Sequence, residues 1–215
     1  KLVRRLAHRR PFLSGVRASG NPGAVQFCGF SEPTQLDHYL PRSDYKALAV
    51  YARNLIPTCG PCNNAKRKHV GGAANEFVHA YFDDLPKVDF LLSTVTMEGA
   101  ALITKFSINP AGLSVNLVSS LSFQLERMNL NKRYKKQVNL FLFSQRTGML
   151  DIFEKKGGAG LRAYLKRSIR DLRNDFGRND WRTAFVRGLV QCDAFCDGGV
   201  KKYFARLQRR RRAAA

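Results

Sequence analysis

The spacing of apolar residues predicts a hairpin followed by a run of helices. Phe90–Met97 and Ala101–Ile108 alternate apolar and polar side chains on either side of Glu98-Gly99, which predicts a β-hairpin. Apolar residues then recur every three or four positions, a helical spacing, over five segments: Ser120–Met128, Lys132–Ser144, Leu161–Phe176, Trp181–Gln191 and Val200–Arg210. We therefore predict an α+β protein.

Upstream of the hairpin the pattern predicts two strands and a helix. Val25–Phe27 is a short β-prone run, and Gln35–Tyr39 is predicted as its return strand. Pro41–Arg53 is predicted as an irregular loop with one helical turn at Tyr45–Tyr51, and Cys62–Lys68 as a short helix without Gly or Pro. Together these elements form a ββα unit.

Composition shifts divide the chain into four segments. Residues 1–23 are basic and broken by Gly and Pro, which favours an extended arm. Residues 24–85 hold the ββα pattern and a further predicted helix, Asn75–Phe82. Residues 86–208 form a mostly helical accessory domain with the hairpin, and residues 209–215 form a basic tail.

Charge points to a polyanionic partner. The chain has 37 Lys and Arg residues but only 16 Asp and Glu, which gives a formal net charge of +21. Such an excess of positive charge favours binding to phosphate backbones. A solubilising surface or a structural protein of a ribonucleoprotein is the plainer alternative. No run approaches the roughly 20 apolar residues of a membrane span, and the N-terminus does not resemble a signal peptide. Five cysteines, an odd number, argue against a disulfide framework and favour a cytoplasmic location.

Candidate chemistry is concentrated between residues 36 and 67. Asp37 and His38 are adjacent, Asn54 follows, and Cys59-x-x-Cys62 runs directly into Asn63. Carboxylate and amide oxygens suit a hard divalent ion such as magnesium, and an imidazole with a pKa near ~6.5 can activate water. Because neighbouring strand residues point to opposite faces, Asp37 and His38 can converge on one phosphate only if the strand ends or bends there.

These motifs resemble the HNH (ββα-metal) endonucleases, in the branch with zinc-knuckle cysteines. The resemblance rests on Cys28-Gly29, Leu36–Pro41, Asn54–Pro57, Cys59-x-x-Cys62 and Asn63. It covers about residues 25–80 and extends, more weakly, to NDWR and FCDGG in the C-terminal half, as in HNH proteins of bacterial defence loci.

The resemblance implies a role for each matching residue. His38 is then the general base, Asp37 and Asn63 hold one catalytic Mg²⁺ or Mn²⁺, and Asn54 braces the loop and orients His38. Three basic residues after the knuckle are expected to contact nucleic acid: Lys66, Arg67 and Lys68.

The cysteine set departs from the family pattern. Cys28, Cys59 and Cys62 are candidate ligands of a structural Zn²⁺, but Val25 stands where a fourth cysteine is expected, and a structural zinc needs four ligands. Either another residue completes the shell or the motif is held by packing without zinc. Cys192 and Cys196 could supply a metal ligand, although packing in a helical core is the commoner role of such cysteines.

We therefore expect a bacterial or phage endonuclease that hydrolyses DNA, RNA being a less favoured partner. A monomer is expected to nick, and a role in anti-phage defence is expected. Because a free nuclease would endanger its host genome, we also expect control by a regulatory protein partner, by autoinhibition or by substrate modification. The alternative is a non-catalytic nucleic-acid-binding module on a degenerate HNH fold.

Overall fold

The chain is a mixed helix and strand protein with two small antiparallel sheets, which confirms the α+β prediction. The computed structural model describes residues 27–72 and 75–212, except for the side chains of residues 210–212. These residues form two compact units, the first from residues up to Val88 together with Pro110–Leu130, and the second from Asp89–Asn109 and residues 131 onward.

The first unit contains a ββα arrangement, in which the first strand and the helix lie where a strand and a helix were predicted. Strand β1 (Gln35–His38) pairs antiparallel with β2 (Leu55–Thr58), and helix α1 (Gly60–Lys66) follows at once. The loop between the strands holds two short 3₁₀ turns, Lys46–Leu48 and Ala52–Asn54. The predicted loop with a helical turn is therefore confirmed.

One prediction in this unit is wrong, and another falls mostly outside the described residues. The partner of β1 is β2, whose four residues are all buried, so this strand lacks the alternation that marks a half-exposed one. Of the predicted partner Val25–Phe27, residues 25 and 26 lie outside the described residues and Phe27 is in a turn. Described residues 75–82 are not helical, because local groups take their backbone bonds: Asp83 Oδ2 accepts from the His79 amide at 2.6 Å, and Phe77 O accepts from the Tyr39 hydroxyl at 2.6 Å.

Helix α2 (Val115–Arg127) completes the first unit. Ser114 caps its N-terminus by accepting from the Leu117 amide at 3.3 Å. From this helix Phe123 packs against Phe77, with ring centroids 5.1 Å apart, and stacks on His69 at 4.8 Å. An aromatic cluster therefore closes this unit.

The second unit is built on the predicted hairpin, which is confirmed. Strands β3 (Leu91–Glu98) and β4 (Ala101–Ile108) pair antiparallel, with Leu91 opposite Ile108 and Glu98 opposite Ala101. Asn131 satisfies the edge of β4, because its side chain both accepts from the Phe106 amide (2.7 Å) and donates to the Phe106 carbonyl (3.0 Å).

Helices supply the rest of the second unit and agree with the predicted spacing. They are α3 (Leu130–Ser144), α4 (Arg146–Phe176), α5 (Trp181–Val190) and α6 (Val200–Arg212), with a π-helical segment at Phe195–Gly199. Helix α4 starts fifteen residues before its predicted beginning and is interrupted at Gly157, where φ is 61°. The arginines predicted as a tail begin on α6, which continues to Arg212.

The core of this unit lies where α5 crosses β3. Ala184, Phe185 and Leu189 on α5 are completely buried. Gly188 lies against the backbone of Ser93 and has Val95 Cγ2 3.1 Å from the position a Cβ would occupy. The helix can approach the strand this closely because Gly188 has no side chain.

We expect Gly188→Ala to lower the free energy of unfolding by about 1–3 kcal/mol, because the added methyl group meets strand backbone that cannot move aside. Gly148→Ala is the matched control, since its new Cβ meets only the Tyr164 hydroxyl at 3.7 Å. That control should be neutral or stabilising by up to about 1 kcal/mol. Urea unfolding of both variants measures the difference, and equal effects would contradict this account of the helix–strand contact.

Candidate active site and cysteine cluster

His38 lies at the end of β1 and is held by the loop that follows. Its Nε2 is 3.0 Å from the carbonyl oxygen of Ala49. A carbonyl can only accept, so this contact places the imidazole proton on Nε2 in the neutral ring and leaves the lone pair on Nδ1. His38 is partly exposed, and Nδ1 is therefore suited to accept a proton.

Asn54 braces the same loop and is itself buried. Its Oδ1 accepts from the Leu40 amide at 2.7 Å, and its Nδ2 donates to the carbonyls of Leu40 and Leu48, each at 3.1 Å. The Leu48 carbonyl is adjacent to the Ala49 carbonyl that holds His38. Asn54 thus acts on His38 through the backbone of the loop, and its hydrogen bonds are those of a positioning residue.

Asn63 is on α1 and points toward β1. Its Nδ2 donates to Oε1 of Gln35 at 2.8 Å, and among the described residues its Oδ1 accepts no hydrogen bond. The Gln35 contact fixes which way the amide faces, so the oxygen is the atom free to bind a cation. Gln35 was missed in the sequence, although the period of two along β1 places it on the face that carries Asp37.

Asp37 is buried and paired with Lys66. The Lys66 ammonium lies 3.0 Å from Asp37 Oδ2 and donates to the His38 carbonyl at 2.7 Å. Oδ2 makes no well-aligned hydrogen bond despite the short distance to Nζ. Burial raises the pKa of the Asp37 carboxyl, and the nearby positive charge of Lys66, acting in the opposite sense, offsets that rise only in part.

This pairing changes the expected role of Lys66. The side chain is completely buried, so its ammonium is not presented to an external phosphate, and the prediction of a nucleic-acid contact is wrong for this residue. Arg67 and Lys68 are exposed just beyond α1 and remain available for that role. The lysine lies in a run of basic residues, a pattern that ordinarily indicates solvent exposure.

A catalytic divalent ion fits the donor groups of Asp37 and Asn63. Carboxylate and amide oxygens are the ligands that such ions take in proteins. Asn63 offers its unbonded oxygen, and Asp37 is not sealed from solvent, since 7% of the residue is exposed. The Lys66 ammonium shares the carboxylate, which adds a competing positive charge beside this candidate site.

Cys28, Cys59 and Cys62 form a second cluster. Their sulfur atoms all lie within 4.8 Å of one another, the three residues are buried, and no disulfide joins them. Sulfur ligands of one tetrahedral zinc are about 3.8 Å apart, given Zn–S bonds of about 2.3 Å. The three cysteines could therefore bind a metal such as zinc with a small contraction.

The Cys28 sulfur is prepared for this role by its surroundings. A hydrogen bond from Cys62, outweighing the opposing effect of burial and joined by bonds from Phe30 and Ser31, lowers the pKa of the Cys28 thiol to about 5. Gly29, with φ of 71°, allows the turn that brings those backbone amides round. At neutral pH Cys28 is a thiolate, which is the form that binds metal.

The other cysteines and the expected fourth position give no further ligand among the described residues. The described groups able to hold a metal include neither Cys192 nor Cys196. Both are buried in the second unit, and Cys196 donates to the Leu189 carbonyl at 3.6 Å. Val25 lies outside the described residues.

Comparison of the chain with protein-family models, curated proteins and solved structures finds no match. Within the described part of the chain, no helix combines the length and the apolar character needed to cross a membrane.

We expect the purified protein to carry about one zinc ion and Cys62→Ser to lose it, because removing one of three thiolates leaves too few ligands. Cys192→Ser is the matched control, a buried cysteine outside the cluster, and should keep the metal. Elemental analysis of both variants provides the measurement. A wild-type protein that stays free of zinc after refolding with the metal would contradict the assignment.

His79 gives a pH-dependent prediction for the first unit. Burial lowers its pKa from 6.5, and Nδ1 accepts from the Tyr81 amide at 3.1 Å. Below pH 6.5 the unfolded chain takes up a proton that the folded chain resists, so stability falls as the pH drops through 6.5 toward the lowered folded value. His79→Phe should lose less stability than wild type between about pH 7.5 and about pH 5.5, measured by urea unfolding. Equal losses would argue against this role of His79.

Proposed function

We propose that this chain is an HNH-type endonuclease that hydrolyses DNA phosphodiester bonds with one divalent ion. The observation that carries the proposal is the setting of His38, whose Nε2 is held by the Ala49 carbonyl while Nδ1 keeps its lone pair. The net charge of +21 supports a nucleic-acid substrate, and the order β1, β2, α1 supports the family resemblance.

Each residue of the site has a distinct task in this proposal. His38 Nδ1 accepts the proton of the attacking water, which raises the nucleophilicity of that water. Asp37 and Asn63 would hold the divalent ion, which supplies charge neutralisation at the phosphate and support for the leaving oxygen. Asn54 keeps the loop, and through it His38, in one orientation. Exposed Arg67 and Lys68 contact the phosphate backbone.

The cysteine cluster has a structural task. Cys28 precedes β1, while Cys59 and Cys62 flank the start of α1. A zinc ion at the three thiolates would tie these segments together, with a fourth ligand from outside the described residues or from solvent. Such a link would hold α1, and with it Asn63, in place against the sheet.

A second candidate function is a non-catalytic nucleic-acid-binding module. The observation that favours it is the ion pair between Lys66 and Asp37, because a carboxylate already neutralised by an ammonium has no electrostatic need for a metal. Under this alternative the protein binds DNA equally with and without divalent ions and leaves it intact.

A nicking assay on supercoiled plasmid separates these functions. We expect wild type to convert plasmid to the open-circular form in Mg²⁺ or Mn²⁺ and not in EDTA. His38→Ala should slow this conversion by about 10²–10⁴-fold, the usual contribution of a general base. His69→Ala is the control, a partly exposed histidine of the same unit that stacks on Phe123, and it should retain the wild-type rate.

Four outcomes would each count against a part of this proposal. Unchanged cleavage by His38→Ala would remove the assigned base, and cleavage in EDTA would remove the ion. Retained DNA binding without any cleavage would favour the binding module. Preferential cleavage of RNA of the same sequence would replace DNA as the substrate.

A further inference from the structure

Lys66 contacts two neighbouring residues of the proposed site, Asp37 and His38. Its Nζ is 3.0 Å from Asp37 Oδ2 and 2.7 Å from the His38 carbonyl. Asn63 lies three residues earlier, so one turn of α1 carries both the amide that would bind a cation and an ammonium that is already a cation.

Placing an ammonium here is costly, which makes a purely structural purpose a weak explanation. Only about 1% of the Lys66 side chain is exposed, and a buried charge pair usually recovers little more than the cost of removing both groups from water. The face of the Tyr39 ring, 5.9 Å from Nζ, adds a weak cation–π contact. Two apolar residues in place of the pair would fill the same space without that cost.

We propose that Lys66 is a positioning residue that serves as the resident cation of Asp37, keeping the divalent-ion affinity of the Asp37–Asn63 pair low until a substrate phosphate adds its negative charge. The inference rests on the proposed endonuclease function. In the free protein an incoming ion is repelled by the ammonium and meets a carboxylate that is already neutralised. A bound phosphate supplies both an oxygen ligand and the missing negative charge.

Binding of Mn²⁺ in the absence of DNA tests the electrostatic part of this inference. We expect Lys66→Gln, which removes the charge but keeps a hydrogen-bond donor, to bind Mn²⁺ about tenfold or more tightly than wild type. Lys66→Arg retains the charge and should retain the weak wild-type affinity. Lys46→Gln, the same substitution at an exposed lysine of the loop between β1 and β2, should change the affinity by less than about twofold. The free Mn²⁺ signal in electron paramagnetic resonance measures all four proteins.

The dependence on substrate is measured on a chain that keeps Lys66. The His38→Ala variant is used because it leaves the DNA uncut. Adding a short DNA duplex should raise the Mn²⁺ affinity of this variant by about tenfold or more. The same duplex should raise the affinity much less when Lys66→Gln is added. Because the first of these measurements does not involve a change at Lys66, it tests the inference even if Lys66→Gln does not fold.

The outcomes distinguish this inference from the proposed function. Tight Mn²⁺ binding by wild type without DNA, or an affinity that neither DNA nor Lys66→Gln changes, overturns the role of Lys66, and plasmid nicking would then leave the endonuclease standing. Absence of Mn²⁺ binding with and without DNA, together with uncut plasmid, overturns both.

Discussion

The contact between the Lys66 ammonium and the end of β1 is the constraint on which the candidate site depends. The ammonium forms an ion pair with the Asp37 side chain and donates a hydrogen bond to the backbone carbonyl of His38. A single buried group therefore holds two neighbouring residues whose side chains leave the strand on opposite faces. The imidazole is then free to turn toward the loop, where the Ala49 carbonyl fixes it.

Different interactions dominate around Asp37 and around His38. The side of Asp37 is buried and charged, so its state depends on desolvation and on the ammonium beside it. The side of His38 is held by the Ala49 carbonyl, and the loop that carries this carbonyl is braced by three hydrogen bonds of Asn54. Electrostatics thus governs what the candidate site can bind, and hydrogen-bond geometry governs where the His38 imidazole points.

The elements best predicted from the sequence are those whose apolar residues recur with a regular period. The hairpin β3–β4 and the helices of the second unit follow the apolar spacing, because their buried faces are regular. Strand β2 was not predicted because all four of its residues are buried, and the helix predicted at 75–82 does not form because the Phe77 carbonyl accepts from Tyr39 and the His79 amide donates to Asp83.

For the site, the sequence identified the candidate reactive residues but not the partners that hold them in place. Asp37, His38 and Asn63 could be singled out because their types and spacing suggest a reaction. The partners Gln35, Ala49 and Lys66 act through an ordinary amide, a backbone carbonyl and a lysine within a basic run, none of which has a distinctive pattern. Only the packing of α1 against β1 reveals that Lys66 is inside.

The hydrogen bonds and the ion pair of the site join residues of one continuous stretch, 35–66. The longest of these contacts is the ion pair between Asp37 and Lys66, which spans 29 positions, and two hydrogen bonds span 28, from Gln35 to Asn63 and from His38 to Lys66. The entropic cost of closing such a loop grows only with the logarithm of its length. During synthesis, the whole constellation emerges before the helices of the second unit exist. The order of translation therefore favours assembly of the candidate site ahead of most of the basic residues of the chain.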